Sequence, residues 1–258
     1  MLTDLQPIYP IAVTLGLMLG VPVLTFLQET TQGQIQRTLG QRVFMALSVP
    51  GVIAHELSHA IINVLFGHKI DKIGWFAPHP GSRNRITLGY VHYRYDTRSP
   101  LQHIGVVVSS FAPALLCPLM ISGLLALTGR HDIGNPISIE SVWDFLAGTR
   151  NVRDIAITLL VFSIGLHSSP SLADYRGAES GLSLKALWGV LLAIGAGYLS
   201  WYLMTRWFEL DGLTNWLQWW AYVLWQSWFQ GVVFAAVSLA LIYVPLQLEE
   251  RLMSRSRS

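Results

Sequence analysis

Residues 52–64 read VIAHELSHAIINV, and the three ionisable groups inside this apolar run decide how the rest of the chain is read. A run of this kind belongs in a bilayer or a buried core, where an uncompensated charge costs about 3 kcal/mol even on the mildest insertion scales. His55 and His59 are four residues apart, so on a helix they lie one turn above the other on one face, with Glu56 beside them. Two imidazoles so spaced can close on one zinc ion. The neighbouring carboxylate can take a proton from an attacking water and hand it to a leaving amine, which is the mechanical content of H-E-x-x-H. Polar packing between partner helices would also place such residues here, but it leaves a buried carboxylate without compensation.

The surrounding composition favours the bilayer. Of 258 residues, 52% are hydrophobic and 12% charged, and the mean hydropathy is +0.44. A soluble domain rarely reaches that balance, so the chain reads as an integral, multi-pass membrane protein with the lipid bilayer as its first partner. The net charge of +2, with its basic residues scattered, gives no footprint for nucleic acid. Cys117 is the single cysteine, which excludes an internal disulfide and a Cys-rich zinc site and leaves His and carboxylates as metal ligands. The opening MLTDLQP lacks a basic stretch and is followed by an apolar run over residues 8–27, which reads as a retained helix rather than a cleaved signal.

Runs of spanning length recur at residues 8–27, 43–66, 104–128 and 186–205. A further run over 155–173 is interrupted by SSPS at 168–171 and reads as a broken helix whose helical part stops near His167. The last uncharged stretch, 212–248, exceeds one crossing. Its first half carries five tryptophans between Trp216 and Trp228, so that half is expected at the interface and 229–246 across the bilayer. Between the second and third runs, KIDKIGWFA and ITLGYVHYRY flank the turn-rich PHPGSRNR, the pattern of a β-hairpin. The expected fold is therefore an all-α polytopic membrane protein of about six transmembrane helices with a small β-hairpin between the second and third. It forms one domain over 1–258, with a core at 43–180, a hairpin loop at 67–100 and a C-terminal helix and tail at 212–258. With six crossings, 11 of the 17 Lys and Arg fall on the side that holds both termini and the hairpin, which points to cytoplasmic termini in a cell (inner) membrane.

Zinc catalysis needs a third protein ligand and an open position. The second run ends, and the broken helix ends, on the same side in this topology. Asp174 is the first carboxylate after the break and His167 lies seven residues before it; His92 and His103 complete the candidates. Tyr90 and His92 on the second hairpin strand are candidate substrate contacts, since an exposed strand edge can pair with an extended peptide.

These features together resemble the site-two protease family of intramembrane zinc metalloproteases. The resemblance spans about residues 43–180 and rests on HELSH, the strand-like segment after it, SSFAPALL in the third run and the PSLAD turn ending the fourth. It implies zinc bound by His55, His59 and Asp174, Glu56 as catalytic base, and a membrane-edge strand that receives an unwound transmembrane substrate. The sequence departs from the family at ADY, where Leu-Asp-Gly is usual, and at Leu116, where the third helix usually carries an Asn that the resemblance implies contacts substrate. Asn63, four residues beyond His59 on the same helical face, is a candidate to replace that contact, a structural polar contact being the alternative. The implied function is that of an intramembrane zinc metalloendopeptidase acting on membrane-spanning protein substrates. The alternative is a non-proteolytic metal-binding membrane protein or transporter, although a transporter would more typically show paired broken helices in two repeated halves. A membrane iron desaturase would need several His-rich clusters, and this chain has one.

Overall fold

The computed structural model describes residues 9–80, 86–129, 144–145, 147, 151–171, 174 and 211–255. Helices α1 (Tyr9–Thr38) and α2 (Gln41–Leu65) are followed by strands β1 (Lys69–Gly74), β2 (His79–Pro80), β3 (Ile86–Thr87) and β4 (Tyr90–Arg94). Then come α3 (Pro100–Ser110), α4 (Ala112–Leu127), α5 (Val152–Gly165) and α6 (Asp211–Arg255). The architecture among these residues is mostly helical, with two small antiparallel ladders. Two helical segments, α2 and Tyr222–Glu249 within α6, are long and apolar enough to cross a membrane, and α3 with α4 adds a third if that bent pair is one span. The expected run at 186–205 and the turn at 81–85 lie outside the described residues.

Local chemistry sets the boundaries. Gly40 separates α1 from α2 at φ 84°, a left-handed conformation that glycine adopts without a Cβ penalty. Ser99 caps α3, accepting from the Gln102 N–H, with Pro100 preset for the first turn. Asn151 caps α5 by accepting from the Asp154 N–H at 2.9 Å. Helix α5 stops at Gly165, just ahead of HSSPS, in line with the expected break.

Two expectations need correction. The 104–128 run is not one straight helix: α3 and α4 meet at Phe111 with a bend of 62°. Pro113 removes a backbone donor at the start of α4, so the chain closes one helix and begins another. The Trp-rich stretch also continues directly into the last span. Helix α6 runs unbroken through it for 45 residues, and its apolar span begins at Tyr222 rather than 229. The two hairpin runs do pair with each other, but in two ladders: β1 with β4 (Lys69 opposite Arg94 to Gly74 opposite Tyr90, irregular between Ile70 and Lys72) and β2 with β3. Between the ladders Leu88 dips into the helices, joining Ile35, Phe44, Val52, Phe162, Leu166, Leu239 and Leu246 in one buried cluster. A second cluster sits at the α4–α5–α6 contact around Ile121, Leu125, Val161 and Phe234.

Helix α2 is inverted relative to a soluble amphipathic helix. Ile53, Leu57, Ile61 and Val64 are exposed along one stripe, while His55, Glu56, Ser58, His59 and Asn63 are buried on the other. Apolar side chains turned outward suit lipid, and polar side chains turned inward must find partners within the bundle.

Two helix contacts bring backbones unusually close, each at a glycine facing a neighbouring carbonyl. A Cβ added at Gly51 of α2 would lie 1.9 Å from the Ser163 carbonyl oxygen of α5, and one at Gly231 of α6 would lie 1.8 Å from that of Pro118 in α4. Small residues at such crossings let helices meet where no hydrophobic force drives them together. Each contact lies beside a proline. Pro118 has no N–H for the Ala114 carbonyl, and the Trp228 indole N–H donates to that oxygen at 2.8 Å. Next to Pro50, the Ser163 hydroxyl accepts from the Gly51 N–H at 2.8 Å and donates to the Leu47 carbonyl at 2.6 Å, bridging a pair that an unbroken helix joins directly.

Candidate metal centre

Immediately after the Pro50–Gly51 junction, α2 carries His55 and His59 inward. The His55 Nδ1–H donates to the His167 carbonyl at 2.8 Å, and the His59 Nδ1–H donates to the Ser109 carbonyl at 2.7 Å. A carbonyl only accepts, so each bond fixes the proton on Nδ1 and leaves the Nε2 lone pair to point elsewhere. The two Nε2 atoms face each other at 3.2 Å. Asp174 closes the third side, with Oδ2 at 3.5 Å from His55 Nε2 and Oδ1 at 3.3 Å from His59 Nε2.

Three acceptors pointed at one another repel unless a cation lies among them. Zinc ligands held tetrahedrally at about 2.0 to 2.2 Å stand about 3.3 to 3.6 Å apart. The two Nε2 atoms, 3.2 Å apart, are close to that spacing, and the Asp174 carboxylate presents one oxygen to each imidazole, Oδ1 at 3.3 Å from His59 and Oδ2 at 3.5 Å from His55. The residues therefore fit zinc in donor type, spacing and orientation. Among the described residues this is the one group of three metal-capable side chains, its ligand atoms all within 4.8 Å.

Asp174 is held by its own backbone turn. The Ser171 N–H donates to Asp174 Oδ2 at 2.6 Å, and the Asp174 N–H donates back to Ser171 Oγ at 3.3 Å. This reciprocal pair is a capping box in which the acidic member also faces the histidines. Ser-x-x-Asp is legible in sequence, although Ser171 does not stand out there.

Glu56 is buried beside the cluster, under the loop between β3 and β4. A Cβ at Gly89 would fall 2.6 Å from Glu56 Oε1 and 2.8 Å from Val52 Cγ1, so only glycine lets the hairpin come this close. No sequence signal marks Gly89, because it sits in a strand-like run.

The remaining candidates go elsewhere. The His167 ring is buried, its Nε2 has no hydrogen-bond partner among the described residues, and it packs near Phe44; this residue meets the site through its carbonyl. His103 donates from Nε2 to the Thr97 carbonyl at 2.8 Å. Asn63 is fully buried, its side-chain amide hydrogen-bonded to His68 Nδ1 at 2.7 Å while His68 Nε2–H donates to the Gln102 carbonyl at 2.8 Å, contacts that tie the end of α2 to the hairpin, where His68 also stacks on Tyr93. Tyr90 and His92, rings 4.6 Å apart, line a shallow hollow of about 490 Å³ with Ala77, Pro78 and His79. On the hairpin surface, Arg94 grips Asp71 with two hydrogen bonds of 2.7 Å, and the guanidinium holds that carboxyl below its ordinary range.

No family model, no curated protein and no solved structure matches this chain.

Proposed function

We propose that the chain is an intramembrane zinc metalloendopeptidase that hydrolyses peptide bonds of membrane-spanning protein substrates. The observation that carries this reading is the convergence of His55 Nε2, His59 Nε2 and an Asp174 oxygen, each imidazole locked by a backbone carbonyl, with Glu56 beside them. His55, His59 and Asp174 would hold the metal, leaving a fourth position open. When bound, zinc acts as a Lewis acid toward a carbonyl and a water. Glu56 takes the proton released as the water oxygen bonds to the scissile carbon, and returns it to the amide nitrogen as the C–N bond breaks. Ser109 and His167 hold the imidazole tautomers throughout, and the Leu88–Gly89 loop keeps the carboxylate out of bulk solvent.

The exposed apolar stripe of α2 and the two spanning helices support a bilayer setting. The proposal is six crossings, both termini cytoplasmic, in a cell (inner) membrane, so that cleavage occurs near the cytoplasmic face.

The test is purified protein in lipid nanodiscs with a library of transmembrane peptides, cleavage being read by mass spectrometry. Glu56→Gln keeps the side chain's size but cannot take the proton, so turnover falls by about 10²- to 10⁴-fold while zinc stays near one per chain. Stoichiometric zinc with no cleavage of any peptide would favour the metal-binding or transport alternative. Metal loss in Glu56→Gln would contradict the role of base.

A further inference from the structure

The imidazole orientation depends on a carbonyl, so whatever holds that carbonyl also holds the metal site. His167 lies past the end of α5, in a segment that has left the helical ladder. Two side chains from α1 grip this segment on either side of it. The Gln32 amide donates to the Leu166 carbonyl at 2.7 Å, and the Gln28 amide oxygen accepts from the Ser169 N–H at 2.9 Å. Backbone partners settle both amide orientations, since a carbonyl can only accept and an N–H can only donate. Gln28 and Gln32 are one turn apart on one face of α1, and Gln28 is buried. Both residues lie more than 130 positions from their partners in sequence.

We infer that Gln28 and Gln32 are positioning residues of the metal centre: they fix the 166–169 segment, whose His167 carbonyl orients His55. Helix α1 is then part of the site's frame although it supplies no ligand. The segment they hold also leads to Ser171 and Asp174, so one clamp sets the placement of an imidazole and a carboxylate together. This inference rests on the zinc reading above. Outer partners of metal ligands typically change affinity by about 10- to 100-fold when removed.

The experiment uses full-length protein in nanodiscs, with Co²⁺ as probe; its visible spectrum reports coordination geometry, and competition titration gives its affinity. Gln28→Met and Gln32→Met preserve volume but lose the hydrogen bonds, and each should weaken Co²⁺ by about 10- to 100-fold and alter the absorption bands. Gln28→Glu keeps an acceptor oxygen and should bind within about threefold of native, a rescue that mere space-filling would not distinguish from Met. Gln230→Met is the control: it removes the buried acceptor of the Ser122 hydroxyl in the α4–α6 contact and should leave affinity and spectrum unchanged. If native protein takes up one Co²⁺ and the Gln28 and Gln32 variants match it, the positioning role is overturned while the metal centre stands. The same holds if Gln230→Met loses as much affinity, or if Gln28→Glu falls as far as Gln28→Met. If native protein binds no Co²⁺, both readings fail together.

Discussion

The α2–α5 junction at Pro50 and the α4–α6 junction at Pro118 are built alike and used differently. In each, a proline interrupts the helical ladder, a side chain from the neighbouring helix bonds the affected backbone, and a glycine lets the two backbones meet. At Pro118 the junction adjoins an apolar cluster, with Trp228 closing the bundle and a Ser122–Gln230 hydrogen bond one turn on, but no metal-capable group of side chains among the described residues. At Pro50 the same construction is followed, four residues after Gly51 and four after Ser163, by His55 and by the carbonyl of His167 that holds it. One junction fastens helices, whereas the other also registers two halves of a polar site to within a hydrogen bond.

The comparison breaks first at the glycines. Gly51→Ala and Gly231→Ala each force a methyl into a carbonyl, so each should destabilise the fold by about 3 kcal/mol or more, read by thermal unfolding in detergent. Only Gly51→Ala should also lower metal affinity, by at least about tenfold, because it displaces His167 relative to His55. Equal metal loss in both variants would mean that the junctions are not functionally distinct.

The bridging side chains give a smaller effect. Ser163→Ala removes the hydroxyl between Gly51 and Leu47, and Trp228→Phe leaves the Ala114 carbonyl without a donor; each should cost about 1 to 3 kcal/mol. Again the serine variant should carry the metal defect and the tryptophan variant should not, as measured by zinc competition on membranes of matched composition.

A third region bounds both. Arg94→Ala on the hairpin should change neither thermal stability nor metal content measurably, since exposed ion pairs contribute little. The folded Asp71 carboxyl sits below its ordinary 3.8 beside Arg94, so the pair's contribution is present above that value and is lost as pH falls through the depressed one. In Arg94→Ala the carboxyl should titrate closer to 3.8, as NMR would show. A shift in zinc affinity would tie the hairpin surface to the site and refute this separation.

Much of the site is legible in sequence because local spacing encodes it. His55, Glu56 and His59 share a helix turn, and Asp174 follows a proline break that can turn a carboxylate back. The groups that orient them are not legible in the same way. Ser109 and His167 act through carbonyls, which every residue has, and Gly89 acts through an absent side chain. Gln28 and Gln32 do leave a trace, two amides one turn apart at the end of the first apolar helix, but their partners lie far along the chain. The bend at Phe111 and the unbroken α6 escape a hydropathy reading for a related reason. Apolar run length measures how much chain suits lipid, not where tertiary contacts divide or extend a helix.

The most direct test of the metal centre is X-ray absorption at the zinc edge on the native, nanodisc-embedded protein, with total zinc determined on the same sample. A site formed by His55, His59 and Asp174 requires one zinc per chain, two imidazoles in its first shell and oxygen at about 2.0 to 2.2 Å, with the signal lost in His59→Ala. Zinc well below one equivalent after dialysis against excess metal, or a first shell without two imidazoles, would contradict it.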